Sequence, residues 1–417
     1  MSQFSHDAID PLNLEQAAQP TAGEELSISY SGRAAPIAKI QLFNLLMLIP
    51  TLGVYRFWAI TRLRRYFWSS ISINGTKLEY TGRGLELFLG LLFVLLFLIP
   101  LTFGVGFLLN FLILLSETLF NVVYFLLLIC ISCLSIVAIY FRRRYILSRT
   151  KWRGIRLALH GTASNFFLFD VKQTFLLIIT LVLYTPFFAM NIQQKLWNNT
   201  HVGDQRMNCE RIMNGLMLRF LGVIASYISG YIAIALIVYN AITTYSMDNL
   251  FTSIIITTVI WYFVFFWALS CYQARIYHNV IEGLSFQKLF FRSEFKGSHL
   301  IKTYLIASGI VFIAGAILFS IAGANSYFSI FSNGLIYNPE DAFMNPSLYF
   351  PFLIASFLTY IVSLFVIPVV VTHRLFRDLV ATTAIGGTFE PDTIAQSDEE
   401  LLSRGEGLAN ALEVGGF

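Results

Sequence analysis

Charge is what this sequence has least of: Asp, Glu, Lys and Arg make up only 12% of its 417 residues, against 56% hydrophobic ones. With a mean hydropathy of +0.68, so little charge excludes a soluble globular domain. Several apolar runs of about 18 residues or more mark a polytopic α-helical membrane protein. Cysteine is scarce too. Four residues give no disulfide framework. The one C-x-x-C, Cys130 and Cys133, lies inside the apolar run 126–133, where small packing residues are expected rather than a redox or metal pair.

The motifs of standard chemistry are missing as well. There is no P-loop, no G-x-S-x-G, no H-E-x-x-H and no Cys/His cluster at metal spacing. Gly82-Arg83-Gly84 and Gly104-Val105-Gly106 lack the rest of a dinucleotide fingerprint. His160, His278 and His373 read as interfacial polar residues. The chain is therefore expected to be no enzyme, with no catalytic residue, no metal and no cofactor. The central turns of the runs 85–111, 121–140, 251–272, 301–324 and 349–371 contain no Asp, Glu, Lys, Arg or His. Ion-coupled transporters usually need such groups at mid-depth despite a cost of about 2.5–3.5 kcal/mol each, so coupled transport is disfavoured. Transport of a neutral solute stays open.

The first 25 residues hold five acids and no Lys or Arg, so no signal peptide is expected. We read 1–25 as a disordered acidic tail, 26–385 as the membrane domain and 386–417 as a second acidic tail. The membrane domain is accordingly more basic than the net charge of +4 suggests. Nucleic acid is a poor partner for a basic body of this hydropathy; anionic lipid headgroups are a better one.

What is present is a recurring device. Arg64-Arg65-Tyr66 is followed by an Asn74-Gly75 turn between apolar-alternating residues, then Tyr80-Thr81-Gly82 and a long apolar run. Asn-Gly in that setting is a strong hairpin signal, since a type I′ turn needs positive φ at both central positions. Arg143-Arg144-Tyr145 with Arg153-Gly154 and Gly161 keeps the same spacing. Looser echoes begin at Arg275 and Arg374, with Glu282-Gly283 and Gly386-Gly387 as turns. The devices lie near 65–84, 144–161, 275–291 and 374–390. Residues 26–30 read as an edge strand, and the hairpins are expected to pair into one β-layer.

The fold class is therefore mainly α: a polytopic membrane protein of repeated two-helix units with short cytosolic β-hairpins between them. The run 37–61, broken at Thr51-Leu52-Gly53, reads as one kinked span or as two short helices folded back; the lengths slightly favour the pair, because about 14 residues at about 1.5 Å each cannot cross a core of about 30 Å. The run 166–190 reads as one span, 191–214 as a polar loop, and 215–245 as a segment that dips in and returns.

Thr51-Leu52-Gly53-Val54-Tyr55, Phe57-Trp58, Arg64-Arg65-Tyr66, Tyr80-Thr81-Gly82, the stretch 149–156 and the ending 405–417 together resemble the YjgN-type family of bacterial inner-membrane proteins. The likeness runs from about residue 26 to the end. It implies location and architecture and offers no catalytic residues to carry over. The positive-inside rule puts the devices and the C-terminus in the cytosol and the loops at Glu117, Asp248 and Glu340 outside. Arg64, Arg65, Arg143, Arg144, Arg275 and Arg374, at helix ends beside aromatic rings, are the candidate site. Two readings stand: anchoring by snorkelling side chains, or a surface that binds anionic lipid or a protein partner. We therefore expect a non-enzymatic membrane module, with passive transport of a small neutral solute as the alternative.

Overall fold

Two-residue turns organise the chain. In the computed structural model, which describes residues 26–244, 250–332, 346–389 and 394–395, Asn74 and Gly75 have φ of 47° and 77°, and Arg153 and Gly154 of 52° and 79°. These are the left-handed values a tight hairpin demands. Gly203 (61°) and Gln287 (52°) open two further turns. Each turn joins a three-residue strand to a five-residue one: β2 (Ile71–Ile73) to β3 (Thr76–Tyr80), β4 (Thr150–Trp152) to β5 (Ile155–Leu159), β6 (Thr200–Val202) to β7 (Gln205–Cys209), and β8 (Leu284–Phe286) to β9 (Leu289–Ser293). Strands β1 (Ile28–Tyr30) and β10 (Thr383–Gly386) stand at the two ends.

All ten strands form one sheet in chain order, every neighbouring pair antiparallel. The end strands β1 and β10 approach each other, so the sheet curls into a barrel-like form that leaves little open edge. Alternation then sorts the side chains. Trp152, Val202, Met207, Leu284, Phe286, Leu289 and Ile385 fill the interior with Leu26 and Phe389. Glu79 sits opposite Lys151, which in turn sits opposite Arg156, on the other face. Cys209 is buried in the interior; burial pushes its thiol up to about 11, which makes it an inert packing residue.

A helix pair separates each strand from the next hairpin: α1 (Ala34–Leu48) and α2 (Arg56–Ser69), α3 (Gly84–Leu115) and α4 (Glu117–Ser148), α5 (Ala163–Ile179) and α6 (Thr185–Asn198), α7 (Leu216–Thr243) and α8 (Leu250–Gly283). The last pair is α9 (Gly297–Ser332) and α10 (Pro346–Val366), which runs through a π-helical segment, Ile367–Thr372, into α11 (His373–Ala381). Both ends of each pair are tied to the same sheet, so the helices all leave from one rim and the hairpin turns occupy the other. Among the described residues, five helices are long and apolar enough to cross a membrane: Gly84–Leu115, Leu216–Thr243, Leu250–Gly283, Gly297–Phe328 and Leu348–Ala381.

The pairs α1/α2 and α5/α6 are short, and the same turn breaks both. Thr51 Oγ1 donates to Met47 O (2.7 Å) and accepts from Tyr55 N (3.1 Å); Thr180 Oγ1 donates to Leu176 O (2.8 Å) and accepts from Tyr184 N (3.1 Å). After each Thr the chain turns through left-handed residues, Leu52 and Gly53 in one case, Leu181 and Val182 in the other. At about 1.5 Å per residue these helices of 14 to 17 residues are too short for a core of about 30 Å.

Five sequence expectations need correction. Gly386-Gly387 is no hairpin turn, because Gly386 is the last residue of β10, paired with Phe290. The run 166–190 is no single span, because the Thr180 turn divides it and Pro186, in the first turn of α6, suits a helix start. The loop 191–214 contains the hairpin β6–β7. That hairpin adds a strand pair before α7, so Leu216–Thr243 belongs to a full helix pair and is long enough to cross. Finally, Glu282-Gly283 is no turn: Gly283 ends α8, and the hairpin reverses at Gln287-Lys288. Gly283 is needed for closeness, since a Cβ there would lie 2.2 Å from Glu210 O. The expected acidic tail 1–25 and nearly all of 386–417 lie outside the described residues.

Candidate functional site: a basic cleft at the helix rim

The six arginines singled out from sequence do not form one patch. All lie on helices that return to the sheet, α2, α4, α8 and α11, and so are distributed around its rim. Arg64 is fully buried. Its Nη1 makes one long hydrogen bond to Tyr80 Oη (3.4 Å), while Nε and Nη2 have no partner. Arg143 stacks on the Trp197 ring at 4.1 Å, a cation–π contact between α4 and α6. Arg144 is half-buried. Arg275 donates from Nε to Asn214 O (2.7 Å). Arg374 is half-buried, with its Nε lacking a hydrogen-bond partner.

Arg65 lines a cleft, of about 360 Å³, together with Trp58, Thr61, Arg62, Arg83, Gly84 and Leu85. In the sequence Arg62 belongs to the same basic-aromatic collar as Arg64 and Arg65, whereas Arg83 is not expected at this site. The signal for Arg62 was present: Trp58, Thr61, Arg62 and Arg65 stand at helical spacings of three and four, which put them on one face of α2. Arg83 comes from the far side of the hairpin, and no spacing predicts its approach.

Several contacts fix the cleft. Arg65 Nη2 donates to Gly82 O (2.8 Å), tying α2 to the residues between β3 and α3. Gly84 opens α3 against the indole of Trp58, where a Cβ would lie 2.8 Å from the ring. Arg62 is held over the rings of Phe43 (4.7 Å) and Tyr55 (5.7 Å). Arg83 is exposed and stands at the N-cap of α3, where no side chain caps the helix. The start of a 32-residue helix carries partial positive charge on its free N–H groups.

The acid of this first turn, Glu86, faces away. Its Oε2 accepts from Tyr145 Oη (2.8 Å) and pairs with Arg149 Nη2 (3.0 Å). The cleft is thus left with three guanidinium groups, an indole and a helix N-terminus. Such a set can hold a phosphate-sized anion through charge-assisted hydrogen bonds. No group of three or more His, Cys, Asp or Glu suited to a metal occurs among the described residues.

No curated protein and no solved structure matches the chain. A family model described as a bacterial protein of unknown function (DUF898) matches residues 25–411, consistent with the YjgN-type resemblance. The match covers the sheet and every helix pair, and the chain belongs to this DUF898 family of bacterial proteins.

Proposed function

We propose that this protein is a non-enzymatic module of the bacterial inner membrane that binds anionic lipid headgroups at the Arg62–Arg65–Arg83 cleft. The observation that carries the reading is the convergence of three arginines on the uncapped start of α3, at the rim where the apolar helices begin. A chain that leaves the sheet and crosses in α3 must recross in α4 to reach β4, so the long pairs imply six crossings. The sheet and the C-terminus then face the cytosol by the positive-inside rule.

The helix pairs read as repeated strand–helix–helix–strand units. Supporting this, Gly32, Ala34, Thr51, Tyr55 and Trp68 match Gly161, Ala163, Thr180, Tyr184 and Trp197 in one gap-free register. The short pairs enter one leaflet and turn back, with Leu52 (94% exposed) and Leu181 (84%) at their tips.

The test is native mass spectrometry from mild detergent with lipids retained. Replacing Arg62, Arg65 and Arg83 together with Gln removes three charges worth about 1 kcal/mol each at an anionic surface, and retained anionic lipid should fall. Replacing Lys77, Lys151 and Arg206 on the sheet changes the charge equally and should leave retention intact. Equal losses in both variants would overturn the proposal.

A further inference from the structure

On the opposite face of α2 a second cleft, of about 640 Å³, opens between α1, α2, α3 and α10. Its size is that of a ligand site, and leucine is the commonest residue of its wall. Two of its polar lining residues, Gln41 and Asn44, are almost fully buried, Asn44 being 2% exposed.

The hydrogen bonds around these two residues run in one direction. Pro368 has no N–H, so the carbonyl of Leu364, four residues earlier, lacks its helical donor. Gln41 Nε2 supplies that donor at 2.9 Å. The carboxamide of Gln41 is thereby oriented, and its Oε1 remains as an acceptor. Asn44 must turn its Nδ2 towards that oxygen, at 3.5 Å, which leaves Asn44 Oδ1 buried and without a partner. A buried acceptor left unpaired costs about 1–3 kcal/mol. The π-helical segment Ile367–Thr372 begins at this wall, and such irregular turns are frequent at functional sites.

We infer that this cleft binds a membrane amphiphile whose acyl chain lies along Leu91 and Leu95 and whose hydroxyl donates to Asn44 Oδ1: a glyceride-type lipid with a free hydroxyl. The polar end must be a donor, because Asn44 has only an acceptor to offer. A ligand whose polar end carries acceptors alone gains nothing at Asn44 Oδ1; the donors of the same wall, Arg56 and Tyr360, are exposed and stand apart from that buried oxygen. This site is separate from the arginine cleft, which reads charge; here a neutral hydroxyl is read among leucines.

Photo-crosslinking in nanodiscs tests this, with a monoacylglycerol carrying a diazirine in its tail and the labelled peptides mapped by mass spectrometry. Labelling is expected on 88–95 and 45–48, competed by unlabelled monoacylglycerol at least tenfold better than by the methyl ester of the same fatty acid. Asn44→Leu should abolish that preference while leaving ester competition unchanged. Leu92→Trp, which fills the cleft, should remove the labelling altogether. The Arg62/Arg65/Arg83 variant should leave all of this untouched, which separates the two sites. Equal competition by alcohol and ester, or labelling unaffected by Leu92→Trp, would overturn the inference.

Discussion

Asp170 gives the sharpest test of the helix packing. It lies on α5, one turn after buried Phe166 and one turn before buried Thr174, and is itself fully buried. Neither carboxylate oxygen has a hydrogen-bond partner, nor does Thr174 Oγ1. Burial raises its carboxyl from 3.8 to about 6. A carboxyl whose pKa is higher in the folded state than in the unfolded chain is no burden at pH below about 4, where it is protonated in both states. Stability is lost as pH rises from about 4 to about 6, and the full penalty stays above that. A carboxyl raised from 3.8 to about 6 corresponds to a penalty of about 3 kcal/mol.

Asp170→Asn keeps the shape and removes the titration. The amide carries its own burial cost of about 1–3 kcal/mol, but that cost does not change with pH. The difference between variant and parent should therefore move by about 3 kcal/mol in favour of the variant between pH 4 and pH 7.5. For a chain of this length that is roughly 3 °C in apparent melting temperature. Intrinsic fluorescence during heating, in one detergent across that pH range, reads it directly. Every other titrating group is common to both proteins and cancels. Melting curves of parent and variant that stay parallel within about 1 °C over the whole range would refute the burial of an unpaired carboxylate at this position.

Val182 stands in the left-handed region, with φ of 73°, where the matching turn has Gly53 at 88°. That conformation costs an L side chain roughly 1–2 kcal/mol. Val182→Gly should raise the melting temperature by about 1 °C and Gly53→Val should lower it, and the two changes measured in parallel check the sign. Buried Arg64 and the ion-paired Arg149 should respond oppositely to Met. Arg64→Met replaces a poorly partnered buried cation by an apolar side chain and should be neutral or stabilising. Arg149→Met removes the cation paired with Glu86 at 3.0 Å and leaves that carboxylate with the Tyr145 hydroxyl; it should cost about 3 kcal/mol, read by the same melts.

Much of this architecture is legible in the sequence because it depends on local properties. The long apolar runs fix the helices. Asn74-Gly75 and Arg153-Gly154 fix two hairpins, since their flanks alternate between a mostly apolar face and a face carrying Lys77, Glu79, Lys151 and Arg156. The pairing of Ile73 with Thr76 and of Trp152 with Ile155 follows from counting outward from those turns. The hairpin β6–β7 escapes the same reasoning. Its Gly203-Asp204 turn lies among Thr200, His201, Gln205 and Asn208, so only Val202, Met207 and the small Cys209 mark the inner face and the alternation is too weak to register. Gln287-Lys288 carries no glycine, so the turn signal falls on Gly283, which is there for its close approach to Glu210.

What the sequence determined by itself was class and punctuation: hydropathy and turn chemistry are set by neighbours along the chain, and no distant residue can override a 32-residue apolar run or supply positive φ at no cost. Tertiary structure alone decided which arginines are available. Arg64 and Arg65 are adjacent and chemically identical, yet a helix face one residue wide buries the first and gives the second a place in a cleft. It also decided what Asn44 can bind, because the orientation of its amide is imposed through Gln41 by a carbonyl at Leu364, set free by a proline more than three hundred residues away. A hydrogen-bond direction inherited from so remote a position exists only once the helices are packed.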